Sequence, residues 1–451
     1  MHKESKVAKW AKIILLFWMF FFFVFGSKAG AEMVLDMEAA VQKGLERNQA
    51  LQAVREEVKG REYGMKSARG EFGPSLSTSY SYTRLDERPE RMGGAPQDPE
   101  TQYGSRDSWV WNINVHQPLF TGFRLLSNYE RSQLAHEQSQ SQLDRAELEL
   151  ILDIQTTFLN LLAARENVRV AEDSLTRLKS HLEVSRSFYD VGAAPKLDVL
   201  EAQVDVSEAE QDLISARNRV DTLESRLNAL LNLPRHQEVR YEGELEFLPF
   251  PMDLRESQDQ AMEKRPDVFI ADKSIQVAMQ EERLAASDLY PQVGANFDVF
   301  RRGDDPTVSG GGLEEEREWR AGVQLEWSLF EWGSTYYGRE QARQETAGLR
   351  SEYEQLLHDV AFEVRSDYLE LQETRERIQV ARQGLEEARE RYRMAEARYE
   401  AQVGTSTEVL DAQADLTSAE ARLIQAESDY MKALASIYRA MGEKNIELTA
   451  K

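Results

Sequence analysis

Residues 109–120 read WVWNINVHQPLF, and residues 319–330 read WRAGVQLEWSLF. Both alternate apolar and polar residues and then break into Leu-Phe, at Leu119-Phe120 and Leu329-Phe330. In the first, Trp109, Trp111, Ile113 and Val115 stand against Val110, Asn112, Asn114 and His116; in the second, Trp319, Ala321, Val323, Leu325 and Trp327 stand against Arg320, Gly322, Gln324, Glu326 and Ser328. Successive strand side chains point to opposite faces, so each stretch reads as a strand with one apolar and one polar face. Each has an alternating neighbour upstream. Leu76, Thr78, Tyr80 and Tyr82 interleave with Ser75, Ser77, Ser79, Ser81 and Thr83, and Val293, Ala295, Phe297 and Val299 interleave with Gly294, Asn296 and Asp298. The spacing predicts strands at about 73–84, 108–118, 291–301 and 319–329. Stretches of about ten residues with one apolar face and aromatics near the ends are the pattern of transmembrane barrel staves.

A soluble sheet packed on one face alternates in the same way. Membrane staves are favoured because every tryptophan beyond residue 31 (Trp109, Trp111, Trp319, Trp327, Trp332) lies in or beside these strands, as an interfacial aromatic belt requires. Tyr80, Tyr82, Trp109, Trp111, Trp319 and Trp327 are the candidate belt. So few strands cannot close a membrane barrel, and an open edge in lipid leaves backbone groups unpaired. The staves of several copies must therefore be pooled.

The two quoted stretches belong to a long internal repeat. An offset of 210 carries Trp109 onto Trp319, Arg165-Glu166 onto Arg375-Glu376, Tyr189 onto Tyr399, and Val199-Leu200-Glu201-Ala202-Gln203 onto Val409-Leu410-Asp411-Ala412-Gln413. Upstream, Pro74 meets Pro291 at an offset of 217, so one loop between the strands of each half differs in length. A tandem duplication of a large unit follows.

After each strand pair the period changes. From about Leu125 to Phe188 there is neither proline nor glycine, and Ile151, Ile154, Phe158, Leu161, Val168, Leu175, Leu178 and Leu182 recur at intervals of three, four or seven. That is one stripe of a long helix. The second half repeats it through Ala361, Val364, Tyr368, Leu371, Ile378, Leu385, Ala388, Tyr392, Ala395 and Tyr399. Both stripes end at turns, 190–195 (DVGAAP) and 402–407 (QVGTST), where glycine (Gly192, Gly404) is expected to permit a reversal and Pro195 or Ser406-Thr407 to open a returning helix. Two long antiparallel hairpins are predicted, with returning helices at about 196–232 and 406–441. Residues 233–253 form a break with room for at most one short strand.

The N-terminus carries Lys3, Lys6, Lys9 and Lys12, the apolar run Ile13 to Phe25, and then Ala29-Gly30-Ala31. This is the pattern of a secretory signal peptide over residues 1–31; a retained anchor is the alternative, against which the run is short. The domain plan is then a first repeat at 32–232 (a helix, two strands and a hairpin), a linker at 233–253, a second repeat at 254–442 and a tail at 443–451. The chain has no cysteine and a formal charge of −24, or −28 without residues 1–31. Such a charge disfavours nucleic acid and attracts cations or a basic partner. His2, His116, His136, His181, His236 and His358 are scattered without metal-ligand spacing. Gly310-Gly311-Gly312 reads as an external loop, since no Lys-Ser/Thr pair follows it as in a phosphate-binding loop. No cofactor and no catalytic constellation is expected.

In its repeat, in Leu35-Asp36-Met37-Glu38-Ala39-Ala40 followed by Glu46-Arg47-Asn48-Gln49-Ala50-Leu51, in the junctions Gln117-Pro118-Leu119-Phe120 and Ser328-Leu329-Phe330, and in the turns leading to Asp198-Val199-Leu200 and Glu408-Val409-Leu410, the chain resembles the TolC-like outer-membrane efflux proteins. The resemblance spans nearly everything after residue 31. It implies a mainly α fold with a membrane β-barrel portion: a homotrimer whose pooled strands, four from each copy, close a 12-stranded barrel in the outer-membrane lipid. Coiled-coil hairpins would form a periplasmic tunnel that meets an inner-membrane transporter through a periplasmic adaptor. It also implies that the hairpin ends close the tunnel, that Glu408 and Asp411 ring the constriction, that Asp198 and Tyr399 link neighbouring hairpins, and that Gly192, Ala194 and Gly404 lie in the adaptor-docking turns. Gly404 stands where that family often has an arginine of the closing network. Apart from the resemblance, Glu408 and Asp198 read equally as acids favouring a helix N-terminus. The expected function is a passive exit duct. A type I protein-secretion outlet is the alternative within transport, and a non-conducting envelope tether the alternative of another class; the polar strand face (Asn112, Asn114, Arg320, Glu326) speaks against the tether.

Overall fold

The computed structural model describes residues 33–93, 100–234, 239–245, 247–310 and 317–444. The signal segment at 1–31, residues 445–451 of the tail, and Gly311 and Gly312 lie outside the described residues. In chain order the elements are β1 (Met33–Leu35), α1 (Met37–Arg47), α2 (Gln49–Gly70), β2 (Ser75–Arg84), β3 (Glu90–Gly93), β4 (Glu100–Tyr103), β5 (Asp107–Thr121), α3 (Arg124–Asp190), α4 (Lys196–Leu230), β6 (Val239–Tyr241), α5 (Leu254–Lys264), α6 (Pro266–Ala285), a 3-10 turn at Ser287–Leu289, β7 (Gln292–Gly303), β8 (Arg317–Glu326), α7 (Ser334–Glu400) and α8 (Ser406–Ala440).

The duplication is visible in the backbone. Helices α3 and α7 each have 67 residues and α4 and α8 each have 35. At 1.5 Å per residue the long arms extend about 100 Å. The single helix expected before each strand pair is two. Asn48 separates α1 from α2, its side chain accepting from the Leu51 N–H at 3.0 Å and donating to Leu230 O at 2.9 Å. In the second half, Asp253 and Glu256 form a reciprocal cap on α5, and Pro266 opens α6, where its missing N–H costs nothing.

Left-handed residues also recur at the offset of 210. They are Gly122 and Trp332, Phe123 and Gly333, Gly192 and Gln402, Asn232 and Gly442. The backbone of the first half is reproduced in the second, while the glycine changes place within each pair. This corrects one expectation: Gly404 is not left-handed, and the second hairpin reverses through Gln402 at φ 59°.

Each hairpin packs on itself, and α3 also lies against α8, α2 and α6. The main core sits partway along the hairpins, where Ile151, Ile154, Phe158 and Leu161 of α3 meet Leu227, Leu231, Met431, Leu434 and Ile437. Burying each of these side chains is worth about 1.5–3 kcal/mol. The linker strand β6 lies there, paired in parallel with β1, a partner that the sequence pattern did not reveal. Repeat-related arginines hold this segment: Arg165 donates to Tyr241 O, and Arg375 lies over the Phe247 ring at 5.9 Å. Toward the hairpin ends the core thins to layers such as Leu178, Leu182, Ala202, Val206 and Ala209. Among the described residues no helix is long and apolar enough to cross a membrane.

Candidate functional site

The four longer strands form one antiparallel sheet in the order β2-β5-β7-β8, so β2 and β8 are its edges. Register places Leu76, Thr78, Tyr80 and Tyr82 beside Val115, Ile113, Trp111 and Trp109 on one face. Phe297 and Val299 continue that face, followed by Ala321 and Trp319. It is exposed: Trp319 is 69% and Val323 70% accessible. Trp109 stacks obliquely on Tyr82, with centroids 4.4 Å apart, and Trp111 donates its ring N–H to Thr78 Oγ1 at 2.8 Å. Trp327 lies just beyond β8, which ends at Glu326, and donates to Leu289 O at 3.2 Å. The opposite face is a polar network. Asn114 donates to Asp298 at 2.8 Å, His116 lies 2.7 Å from Asn296 Oδ1, and Glu318 pairs with both Arg320 (2.7 Å) and Arg302 (3.4 Å). Between β2 and β5, β3 and β4 form a small antiparallel pair.

At the other extremity lie the hairpin ends. Gly192 is left-handed at φ 76°, and a Cβ there would meet nothing within 4 Å. Ala194 donates its N–H to Phe188 O. Val191 is 77% and Val403 66% exposed, so each end shows an apolar tip. Gly404 has a different use from chain reversal. A Cβ there would stand 3.0 Å from Arg398 Cβ and 3.2 Å from a Glu408 carboxylate oxygen, so glycine leaves room for Arg398 and Glu408 to approach to 3.8 Å. Thr405 caps α8 by accepting from the Glu408 N–H at 3.2 Å.

Glu408 and Asp411 share a groove of about 700 Å³ between α7 and α8 with Arg391, Met394 and Arg398. Arg391 is paired with Asp415. Asp205 of the first hairpin belongs to the same acidic layer; burial, then Glu208, Glu201 and Asp411, push its carboxyl above the usual range. It escaped sequence reading because its proximity to Asp411 arises only when the hairpins pack. Asp198 is half-buried in the first turn of α4. Tyr399 is buried: its hydroxyl lies 3.0 Å from Ser185 Oγ of α3, and its ring packs against His181 and Phe188. Ser185 gives no signal in the sequence, and His181 reads there only as one of the scattered histidines, both being polar residues on a largely apolar stripe. Among the described residues no acid, histidine or cysteine cluster suits a metal.

A sheet with an exposed aromatic face, carried on two long helical hairpins, defines a class: channel proteins of the membrane with a large helical portion. The chain belongs to the outer membrane efflux protein family, whose pattern it matches over residues 40–233 and 258–443. It is 21% identical over 343 residues to the outer membrane efflux protein BepC of Brucella suis biovar 1, a match covering 76% of this chain and 71% of that protein. In fold it is similar to the outer-membrane channel OprN (TM-score 0.76, 18% identity, 90% of this chain and 89% of that one). It is similar also to the Campylobacter jejuni CmeC outer membrane channel (TM-score 0.77, 16% identity, 90% and 85%). Family and fold are those of outer-membrane channels rather than enzymes.

Proposed function

We propose that the protein is the exit duct of a tripartite efflux assembly. Three copies pool their staves, each β2 edge pairing with the β8 edge of a neighbour, and twelve strands, four from each copy, close one barrel in the outer membrane. The hairpins continue the channel through the periplasm. A periplasmic adaptor docks at the ends marked by Gly192, Ala194 and Gly404 and connects the duct to an inner-membrane transporter, which supplies the energy. Residues 1–31 direct export and are removed; the repeats at 32–232 and 254–442, joined by 233–253, are the structural halves, and 443–451 is a terminal tail. Asp198, Tyr399, Glu408 and Asp411 belong to the gate.

The observation that carries this reading is the sheet itself. Both edges are open, one face is exposed and aromatic, and the other is polar. Unpaired edges do not persist in hydrocarbon, and an apolar face of this extent is not left in water. Pooling identical sheets answers both demands.

The test is extraction and conduction. Detergent-solubilised protein is expected to run as a trimer on light scattering and to give discrete conductance steps in a planar bilayer. A monomer that leaves the bilayer silent would refute the duct. Complementation of strains lacking either a drug-efflux channel or a type I secretion outlet assigns the cargo, with rescue of drug resistance expected.

A further inference from the structure

His181 of α3 lies about two and a half turns before the end of the first hairpin. It is buried. Its Nε2 is 2.8 Å from the Oγ of Ser406, the first residue of α8, and its ring lies 4.9 Å from that of Tyr399 on α7. One turn further on, Ser185 Oγ is 3.0 Å from the Tyr399 hydroxyl and 3.5 Å from His181 Nε2. Four side chains from three helices thus form one buried polar cluster, and it ties the first hairpin to both arms of the second.

We propose that this cluster is the latch holding the two hairpins together near their ends, and that it holds only while His181 is neutral. The inference rests on reading the hairpin ends as the gate. A neutral imidazole satisfies Ser406 in either tautomer, as donor or as acceptor. Among the described residues no carboxylate is hydrogen-bonded to the ring, whose partners are Ser406 and Ser185. From α7 the titratable group facing it is Tyr399; from α8 it meets Ser406, with Glu408 half a turn on and drawn to Arg398. On the α4 side the apolar residues of this layer are Ala202, Val206 and Ala209, and the titratable group among them is Asp205, whose carboxyl burial and the neighbouring acids Glu208, Glu201 and Asp411 push up toward its neutral form. The N-terminus of α8, where Ser406 stands, is itself the positive end of a helix dipole.

Burial alone pulls His181 down from 6.5 to about 4, with no charged neighbour contributing. Once the hairpins part, the ring regains water and its ordinary value. A base depressed in the closed state keeps that state at full strength above about pH 6.5 and weakens it as pH falls toward 4. At pH 5 the closing equilibrium loses about thirtyfold per protomer.

The chain has no cysteine of its own, so spin labels can be placed uniquely at Val191→Cys and Val403→Cys, one on each tip. On moving the trimer from pH 7.5 to pH 5, the tip-to-tip distance measured by pulsed electron resonance is expected to widen. Bilayer conductance should rise with it. His181→Gln, which keeps a hydrogen-bonding amide but does not titrate, should remain closed at both values. Ser406→Ala should be partly open already at pH 7.5 and should respond less to acid. An unresponsive wild type, or an equal acid response in His181→Gln, overturns the latch, as does a Ser406→Ala variant indistinguishable from wild type. Tip widening that depends on His181 but is accompanied by no current would uphold the latch and refute the conducting duct.

Discussion

Gln402 adopts a left-handed backbone, φ 59°, where its repeat partner is Gly192 at φ 76°. A side chain in that conformation costs about 1–2 kcal/mol, because Cβ crowds the following carbonyl. Gln402→Gly should therefore stabilise the second turn by up to about 1 kcal/mol, the gain being reduced by the greater freedom of glycine in the unfolded chain. Gly192→Ala should cost the first turn a similar amount although its Cβ meets nothing. Amide hydrogen exchange at residues 188–194 and 398–404 would measure both effects locally. Faster exchange in Gln402→Gly would show that packing around Arg398, rather than the dihedral, sets the stability of that turn. Gly404 is the reverse case. Its value lies in the space it leaves between Arg398 and Glu408, which no inspection of a turn motif reveals.

Among elements, the strands carry the sharpest contrast. Val323 and Gln324 are adjacent on β8 but belong to opposite faces, paired across β7 with Ala295 and Gly294. Val323→Arg places a charge near the middle of the exposed apolar band and should weaken assembly by about 2–4 kcal/mol. Gln324→Arg joins a polar face already holding Arg320 and Glu326 and should be tolerated. Retention of the trimer band in mildly denaturing gels checks this; equal bands for both variants would remove the lipid assignment. At the hairpin turns, Ala194→Glu should abolish efflux complementation while leaving the trimer intact. It is a cleaner probe than a substitution at Gly192, which would also strain the backbone. Full complementation by a variant altered at both tips would shift the adaptor surface toward the core around β6.

At the scale of the whole molecule, the formal charge of −28 without residues 1–31 should bias the proposed duct toward cations, and the narrowest acidic layer should set how strongly. In the proposed gate Glu408 and Asp411 would supply that layer together with Asp205, and Arg398 would offset part of it. The double variant Glu408→Ala/Asp411→Ala should lower cation selectivity and relieve block by multivalent cations applied from the hairpin side. Arg398→Ala should change selectivity in the opposite direction. Reversal potentials in a salt gradient read both. If the double variant leaves them unaltered, those acids only favour a helix start and the constriction lies in another layer.

Periodicity by itself determined the main elements: two strand pairs of period two, two long helical stripes, and a duplication that repeats them in the second half. These are properties of neighbouring residues, and side-chain direction follows spacing directly in both strand and helix. Tertiary structure alone decided which residues meet across hundreds of positions. Met33–Leu35 pairs with Val239–Tyr241, Asp205 joins the acidic layer of Asp411, Arg398 reaches Glu408 through the space at Gly404, and His181 and Ser185 of one hairpin close on Ser406 and Tyr399 of the other. Isolated polar residues on a helix look the same in sequence whether they face water or one another. Only the packing of the hairpins removes the water and gives those few groups a shared, buried chemistry.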